Sequence, residues 1–259
     1  MTTVMSLKKV SFNLNGAKLL SDISFDVQSG EVISIVGPNG ASKTTLLKIL
    51  AKEHVASEGQ IDFNAKPLAA IAQKELAKSL AVLPQFSLLN FPYLVEEVVA
   101  LGRTPHNSGK DVDDNIVNQV LKRFDIEYLK GREYTRLSGG EKQRTQLARV
   151  CAQIWRKEDA SPRVLLLDEP TSSLDLKHQK ELMTHIKSLA NEGVAVVIVL
   201  HDINLAIKSS DKIIALSCGK IHFSGPAHAI LDDKTLSTLF NTEIDVIHDQ
   251  KSGQRLVLP

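Results

Sequence analysis

Short continuous apolar runs recur along the chain: EVISIV (31–36), RVLLLD (163–168), VAVVIVL (194–200) and KIIAL (212–216). Unbroken Val, Ile and Leu without polar alternation predict strands covered on both faces, as in a parallel sheet. The segments that follow change period. Residues 44–51 carry Leu46, Leu47, Ile49 and Leu50, and residues 177–190 carry Leu182, Met183, Ile186 and Leu189, at spacings that predict amphipathic helices. Strand, turn and helix in repetition imply an α/β layer architecture, with sites at the carboxyl ends of the strands.

Two stretches break this pattern. Residues 8–30, KKVSFNLNGAKLLSDISFDVQSG, alternate in short segments about the turn dipeptide Asn15-Gly16 and predict an N-terminal antiparallel β-subdomain. Residues 85–158 open with the loop QFSLLNFPYL, show no strong strand and have a helical pattern, which predicts a helical insertion into the α/β core. The polar RKEDASPR (156–163) reads as the surface loop leading back into the sheet.

Composition narrows the class without naming it. With 259 residues, 43% hydrophobic and 24% charged, the chain reads as a water-soluble globular protein with a proper core. Thirty-one Lys and Arg against 30 Asp and Glu leave a formal charge of +1, which argues against nucleic acid as the main partner. The start, MTTVMSLKKV, lacks the pattern of a secretory signal, and the apolar run 194–200 is far short of the ~20 residues of a spanning helix. Any membrane association is therefore expected through a partner. Cys151 and Cys218 show no metal or redox spacing and are read as inert core thiols in a reducing compartment.

Chemistry enters at GPNGASKTT, which comprises Gly37, Pro38, Asn39, Gly40, Ala41, Ser42, Lys43, Thr44 and Thr45. It differs from the phosphate-loop pattern G-x-x-x-x-G-K-[ST] only at Ser42, where glycine is expected. A strand precedes it and a helix follows, so backbone N–H groups and the helix N-terminus create an anion site. Lys43 would reach the outer phosphates and the Thr44 hydroxyl would take a place on Mg²⁺. If residue 42 must adopt positive φ, its Cβ costs about 1–2 kcal/mol. Asp168 and Glu169 end a buried strand, a costly place for charge unless a cation or a catalytic water uses it. Asp168 suits the surroundings of Mg²⁺, and Glu169 is placed to orient or deprotonate an attacking water. His201 directly follows the third apolar run. Alone it would be an ordinary strand end, but beside these elements it becomes a candidate γ-phosphate sensor. In LSGGEKQR, Ser138 and Glu141 form a capping box, and the serine with Gly139 and Gly140 at a helix start also makes a phosphate site; both readings can hold.

Taken in order, these motifs resemble the nucleotide-binding subunit of an ATP-binding cassette (ABC) transporter, over nearly the whole chain. The resemblance implies a P-loop NTPase with a RecA-like core, forming one domain over residues 1–259. Residues 1–84 and 159–259 would be the core with its β-subdomain, and residues 85–158 the helical subdomain. It assigns ATP binding to residues 37–45, and the signature motif to Leu137, Ser138, Gly139, Gly140 and Glu141. Ser173, Leu174 and Asp175 match the D-loop. Lys43, Gln85, Glu169 and His201 take catalytic roles, while Thr44, Gln85 and Asp168 surround Mg²⁺. A head-to-tail homodimer would place each ATP between the phosphate loop of one chain and the signature of the other.

FPYLVEEVVALGRTPH (91–106) and LSGGEKQRTQLARVCAQIW (137–155) are similar to the importer subgroup for iron chelates, haem and cobalamin, and the polar insert is most similar to haemin-import ATPases. That resemblance implies a place on the cytoplasmic face of the bacterial inner membrane, peripheral through two permease subunits. A periplasmic haem-binding protein would be an indirect partner, with ferric siderophore or cobalamin as alternative cargo. Phe86, Leu88, Leu89, Phe91 and Tyr93 would partly line the permease-docking groove, although buried core is the ordinary place for each singly. Leu14 stands where the family often stacks an aromatic on adenine, with Phe12 expected on the other face of its strand. His178 and His185 are expected on a solvated helix, and no haem site is expected here. The rivals are a soluble ABC ATPase acting on nucleic acid or ribosomes, and a nucleotide-gated variant with impaired or absent turnover, motivated by Ser42.

Overall fold

In the computed structural model, residues 2–85, 89–172, 174–248 and 255–258 are described. The chain divides into two compact units, residues 1–70 with 197–259 and residues 71–196. In the first, β1 (Thr3–Leu14) and β2 (Ala17–Gln28) form an antiparallel hairpin. Its turn is Asn15-Gly16, at φ 50° and 82°, the positive pair that fits the twist of a two-residue hairpin loop. Val10, Leu20, Ile23 and Val27 are fully buried along it, each stabilising the fold by roughly 1.5–3 kcal/mol. β3 (Val32–Val36) is buried at every position and leads toward α1 (Lys43–Leu50), which turns Leu46, Leu47, Ile49 and Leu50 inward. β4 (Glu58–Phe63) and β5 (Lys66–Pro67) then join the hairpin in the order β2-β1-β4-β5.

In the second unit, α2 (Gln73–Ser79) passes directly into β6 (Leu80–Leu83). α3 (Val95–Ala100), α4 (Lys110–Arg123) and α5 (Gly139–Gln153) follow with no strand among the described residues between them, as the helical pattern predicts. β7 (Arg163–Asp168) runs parallel to β6, with Leu80 opposite Val164 and Leu83 opposite Leu167. α6 (Leu176–Asn191) comes next, and β8 (Val194–Val199) begins in this unit and ends in the first.

The polar stretch before β7 is more firmly held than a solvated loop. Asp159 meets the buried Arg103 at 2.6 Å and also pairs with Arg156. Arg103 donates further to Asp113 (2.8 Å), Ser108 (2.8 Å) and the Ala152 carbonyl (2.8 Å). Arg163, itself buried, donates to the carbonyls of Ile154, Trp155 and Glu192, satisfying the ends of α5 and α6.

Within the first unit, α7 (Ile203–Ser209) leads to β9 (Lys212–Ser217), which pairs parallel with β3 and antiparallel with β10 (Lys220–Pro226). α8 (Asp233–Phe240) and the hairpin of β11 (Asp245–His248) and β12 (Arg255–Leu258) complete it.

Two readings of single residues are corrected. Cys151 is a core thiol, which burial pushes up to about 12, but Cys218 is exposed at φ 48° in the β9–β10 turn. His178 and His185 are half-buried rather than solvated. His185 packs on Phe124 at 5.0 Å, and burial, then Arg123, holds its pKa below the usual imidazole range.

Candidate functional site

The phosphate-loop sequence leaves β3 at Gly37, whose φ is 144°. A Cβ there would lie 2.1 Å from the Leu216 carbonyl oxygen of β9, so only glycine fits. Lys43 is buried, and its amine donates to the carbonyls of Gly37 (2.9 Å) and Pro38 (3.0 Å), curling the loop over its own helix start. Ala41 is buried, Pro38, Thr44 and Thr45 are half-buried, and Asn39 and Gly40 are exposed. The first turn of α1 carries no acidic side chain, so nothing there opposes an anion at the helix N-terminus. His201 is exposed just beyond β8, and the Leu200 N–H before it donates to Ile35 O at 3.2 Å, within the strand that feeds the loop.

Ser42 occupies the left-handed region, φ 71° and ψ 29°, so the condition for a Cβ penalty is met. It stands at the N-cap of α1, yet among the described residues its hydroxyl caps no helix N–H. Ser42→Gly should therefore relieve about 1–2 kcal/mol of strain, against about 0.4–1 kcal/mol of added unfolded-state freedom. The expected result is a Tm higher by up to about 6 °C in a thermal melt; a lower Tm would remove the strain argument.

In the second unit, β7 ends with Asp168 buried at 4% exposure. Glu169 follows at φ 49°, in a turn where the Ser172 N–H (3.3 Å) and hydroxyl (3.1 Å) both donate to its carbonyl. Gln85, just past β6, donates its amide to Glu169 Oε2 at 2.6 Å. The parallel pairing of β6 with β7 makes this contact possible, because it brings both strand ends to one edge. Gln143 of α5 donates to the Pro170 carbonyl at 3.0 Å and joins that helix to the same turn, a link sequence spacing alone does not reveal. The lead into α6 is fixed by Asp175, which accepts from the His178 N–H (2.9 Å) and meets its Nδ1 (2.8 Å). That backbone N–H is the main reason the Asp175 carboxyl lies below its usual range. Leu174 is half-buried, and Gln179 holds its carbonyl at 3.0 Å; Ser173 lies outside the described residues.

Ser138 is the N-cap of α5, and the capping box is complete. Glu141 Oε2 accepts from the Ser138 N–H at 2.8 Å and from its hydroxyl at 2.7 Å, while the Glu141 N–H donates to Ser138 Oγ at 3.4 Å. Leu137 is buried beneath the motif, whereas Ser138 and Gly139 are exposed, so the helix start faces outward on a fixed base.

Of the apolar loop after Gln85, Phe86 and Leu88 lie outside the described residues. Leu89 is half-buried, while Phe91 and Tyr93 are 67% and 40% exposed and meet edge-on at 6.2 Å. Leu14 is 46% exposed; Phe12 is buried and stacks on His54 at 5.1 Å. Among the described residues no group of three His, Cys, Asp or Glu could hold a metal by itself, and no helix is long and apolar enough to cross a membrane. The buried carboxylate of Asp168 has the hard oxygen chemistry that suits a divalent ion.

Comparison with known proteins gives concordant matches. The family described as ABC transporter matches residues 20–172. A hemin import ATP-binding protein, HmuV, of Pseudomonas fluorescens is 41% identical over 98% of this chain and 99% of its own length. A protein of the same description from Gloeobacter violaceus is 43% identical, over 96% of this chain and 92% of its own. Among solved structures, one described as of metal-chelate type among ABC transporters, in an inward-facing conformation, matches with a TM-score of 0.84 at 27% identity, covering 100% of this chain and 98% of that one. Another, cbiO1 from Clostridium perfringens, part of the transporter complex cbiONQ, matches at 0.77 with 26% identity, over 92% and 94% of the two chains. The fold is thus that of a P-loop NTPase with an antiparallel β-subdomain and an inserted helical segment.

Proposed function

Because this chain belongs to the ABC transporter family, we propose that it is the ATP-hydrolysing subunit that powers haem import across the bacterial inner membrane. The cargo follows from the two relatives described as hemin import proteins, each matched over nearly its whole length. The observation that carries the coupling is the Gln85–Glu169 hydrogen bond of 2.6 Å, because it ties the start of the loop bearing Phe91 and Tyr93 to the carboxylate that handles water.

In this reading the chain works as a homodimer, with residues 37–45 of one protomer and the signature of its partner gripping one ATP. Lys43 and the loop amides bind the outer phosphates, His201 contacts the γ-phosphate, and Leu14 covers the adenine by apolar contact. Thr44, Asp168 and Gln85 would hold Mg²⁺, which when bound would neutralise phosphate charge. Glu169 takes the proton of the attacking water. Residues 85–158 are the helical part of a single domain whose remainder, 1–84 and 159–259, holds the nucleotide. Exposed Phe91 and Tyr93 dock on two membrane-spanning permease subunits at the cytoplasmic face, and a periplasmic haem-binding protein delivers the cargo without touching this chain.

The test is hydrolysis by the assembled transporter in lipid. Haem-loaded binding protein is expected to stimulate MgATP hydrolysis severalfold, and Leu89→Asp with Tyr93→Asp to abolish the stimulation by uncoupling the permease. Equal stimulation by binding proteins loaded with ferric siderophore or cobalamin would defeat the cargo assignment.

A further inference from the structure

We propose that Tyr128 is a positioning residue for the signature serine, acting through Glu141 and Arg144; this deepens the reading above and rests on it. Tyr128 lies in the turn Glu127–Leu129 ahead of the motif and is 54% exposed, so core packing does not account for its place. Its hydroxyl is instead the middle link of a chain of hydrogen bonds. Arg144 Nη2 donates to Tyr128 OH at 3.0 Å, and Tyr128 OH donates to Glu141 Oε1 at 3.4 Å. Glu141 Oε2 in turn holds both the N–H and the hydroxyl of Ser138. The far end is anchored by Arg144 Nη1 on the Asp125 carbonyl at 3.1 Å, and the Arg132 guanidinium lies 6.0 Å over the Tyr128 ring. Arg144 Nε is buried without a partner among the described residues, which leaves the Tyr128 bond a larger share of the work of holding that guanidinium.

A serine hydroxyl has one proton. While Ser138 gives it to Glu141, it has none for a phosphate oxygen, so gripping nucleotide requires the hydroxyl to turn off the carboxylate. A donor that stays on the carboxylate favours that release, because hydrogen bonds to a charged group are the stronger ones. Tyr128 OH supplies that bond, and the positive charge of Arg132 favours the ionised carboxylate through space. They also help hold the Glu141 carboxyl below its usual range, after the larger contributions of the Ser138 hydroxyl and amide. Tyr128 therefore sets how readily Ser138 is released to the partner's ATP. It has no contact with the reacting atoms.

The experiment compares full-length parent, Tyr128→Phe, Glu141→Gln, the double variant and Ser138→Ala in steady-state MgATP hydrolysis, with ADP affinity and Tm measured on each. Tyr128→Phe is expected to raise KM for ATP about twofold, the loss of one long hydrogen bond at the weak end of the range. Its kcat, ADP affinity and Tm should stay near parent values. In the Glu141→Gln background the same substitution should change KM little, because the path through the carboxylate is already cut. A parental KM in Tyr128→Phe, full additivity in the double variant, or a joint fall in Tm and ADP affinity would each overturn the proposal. Should Ser138→Ala hydrolyse ATP like the parent, the reading of the signature fails and the proposal with it. If Ser138→Ala is crippled while Tyr128→Phe is normal, only the role of Tyr128 falls.

Discussion

Glu169→Gln is expected to cut MgATP hydrolysis by about 10²–10⁴-fold, the usual contribution of a positioned general base, while nucleotide binding survives and the ATP-bound pair of chains lives longer. The geometry separates the two neighbouring carboxylates. Asp168 is buried at the end of β7, whereas Glu169 swings out of the strand at φ 49° and stays half-exposed. Ser172 pins the Glu169 carbonyl, so the side chain leaves the turn in a fixed direction, and Gln85 holds Oε2 at 2.6 Å. A glutamine has the same shape and keeps an oxygen for the Gln85 amide, but its amide accepts no proton from water. The loss should therefore fall on the chemical step alone. Single-turnover phosphate release and sizing of the protein in MgATP measure both halves. Hydrolysis above about a tenth of the parent rate would lie outside the range for a lost base and move that role to another group. Loss of ATP binding would show instead that Glu169 holds the site together.

The elements legible in the sequence were those whose neighbours hardly matter. β3, β7 and β8 are buried at every position, so their unbroken Val, Ile and Leu announced them. The hairpin turn at Asn15-Gly16 and the capping box at Ser138 and Glu141 are local chemistry, fixed by the residue types themselves. β6 was not legible, since LAVL follows α2 without a turn residue and is a strand because β7 lies beside it. β4 is exposed over its first three residues, Glu58 to Gln60, and takes its form from pairing with β1. The Cys218 turn could have been found, because Cys218-Gly219 separates an apolar strand from the alternating β10. His185 could also have been placed, being three residues after Leu182 on the buried side of α6. For the candidate site, spacing singled out each motif as an expectation, but the contacts Gln85–Glu169, Gln143–Pro170 and Tyr128–Glu141 join separate segments and depend on how these fold back.

Gly37→Ala should do the greatest damage of any one-carbon change in the phosphate loop, and Ser42 shows why position matters more than the presence of a side chain. Both residues have positive φ, but Ser42 at 71° sits in the left-handed well that L-residues can visit, whereas Gly37 at 144° does not. The new Cβ would also meet backbone, 2.1 Å from Leu216 O and 3.1 Å from its carbonyl carbon, with no flexible side chain to move aside. Leu216 belongs to β9, whose parallel pairing with β3 runs to Val36 opposite Ala215, so relief must come from opening that pair or from rotating the peptide at 37. Rotation displaces the Gly37 and Pro38 carbonyls on which Lys43 is anchored at 2.9 and 3.0 Å. Backbone strain of about 1–3 kcal/mol and overpacking of about 1–3 kcal/mol together imply a Tm lower by on the order of 10 °C. ATP affinity should fall at least about tenfold, since roughly 1.4 kcal/mol of misplacement suffices. Gly40→Ala is the control: its φ is 78° but a Cβ meets nothing within 4 Å, so it should cost only the left-handed penalty of about 1–2 kcal/mol. Thermal melts and ATP titrations of the two variants decide the matter, because equal effects would mean that the close approach to Leu216 does not shape the loop.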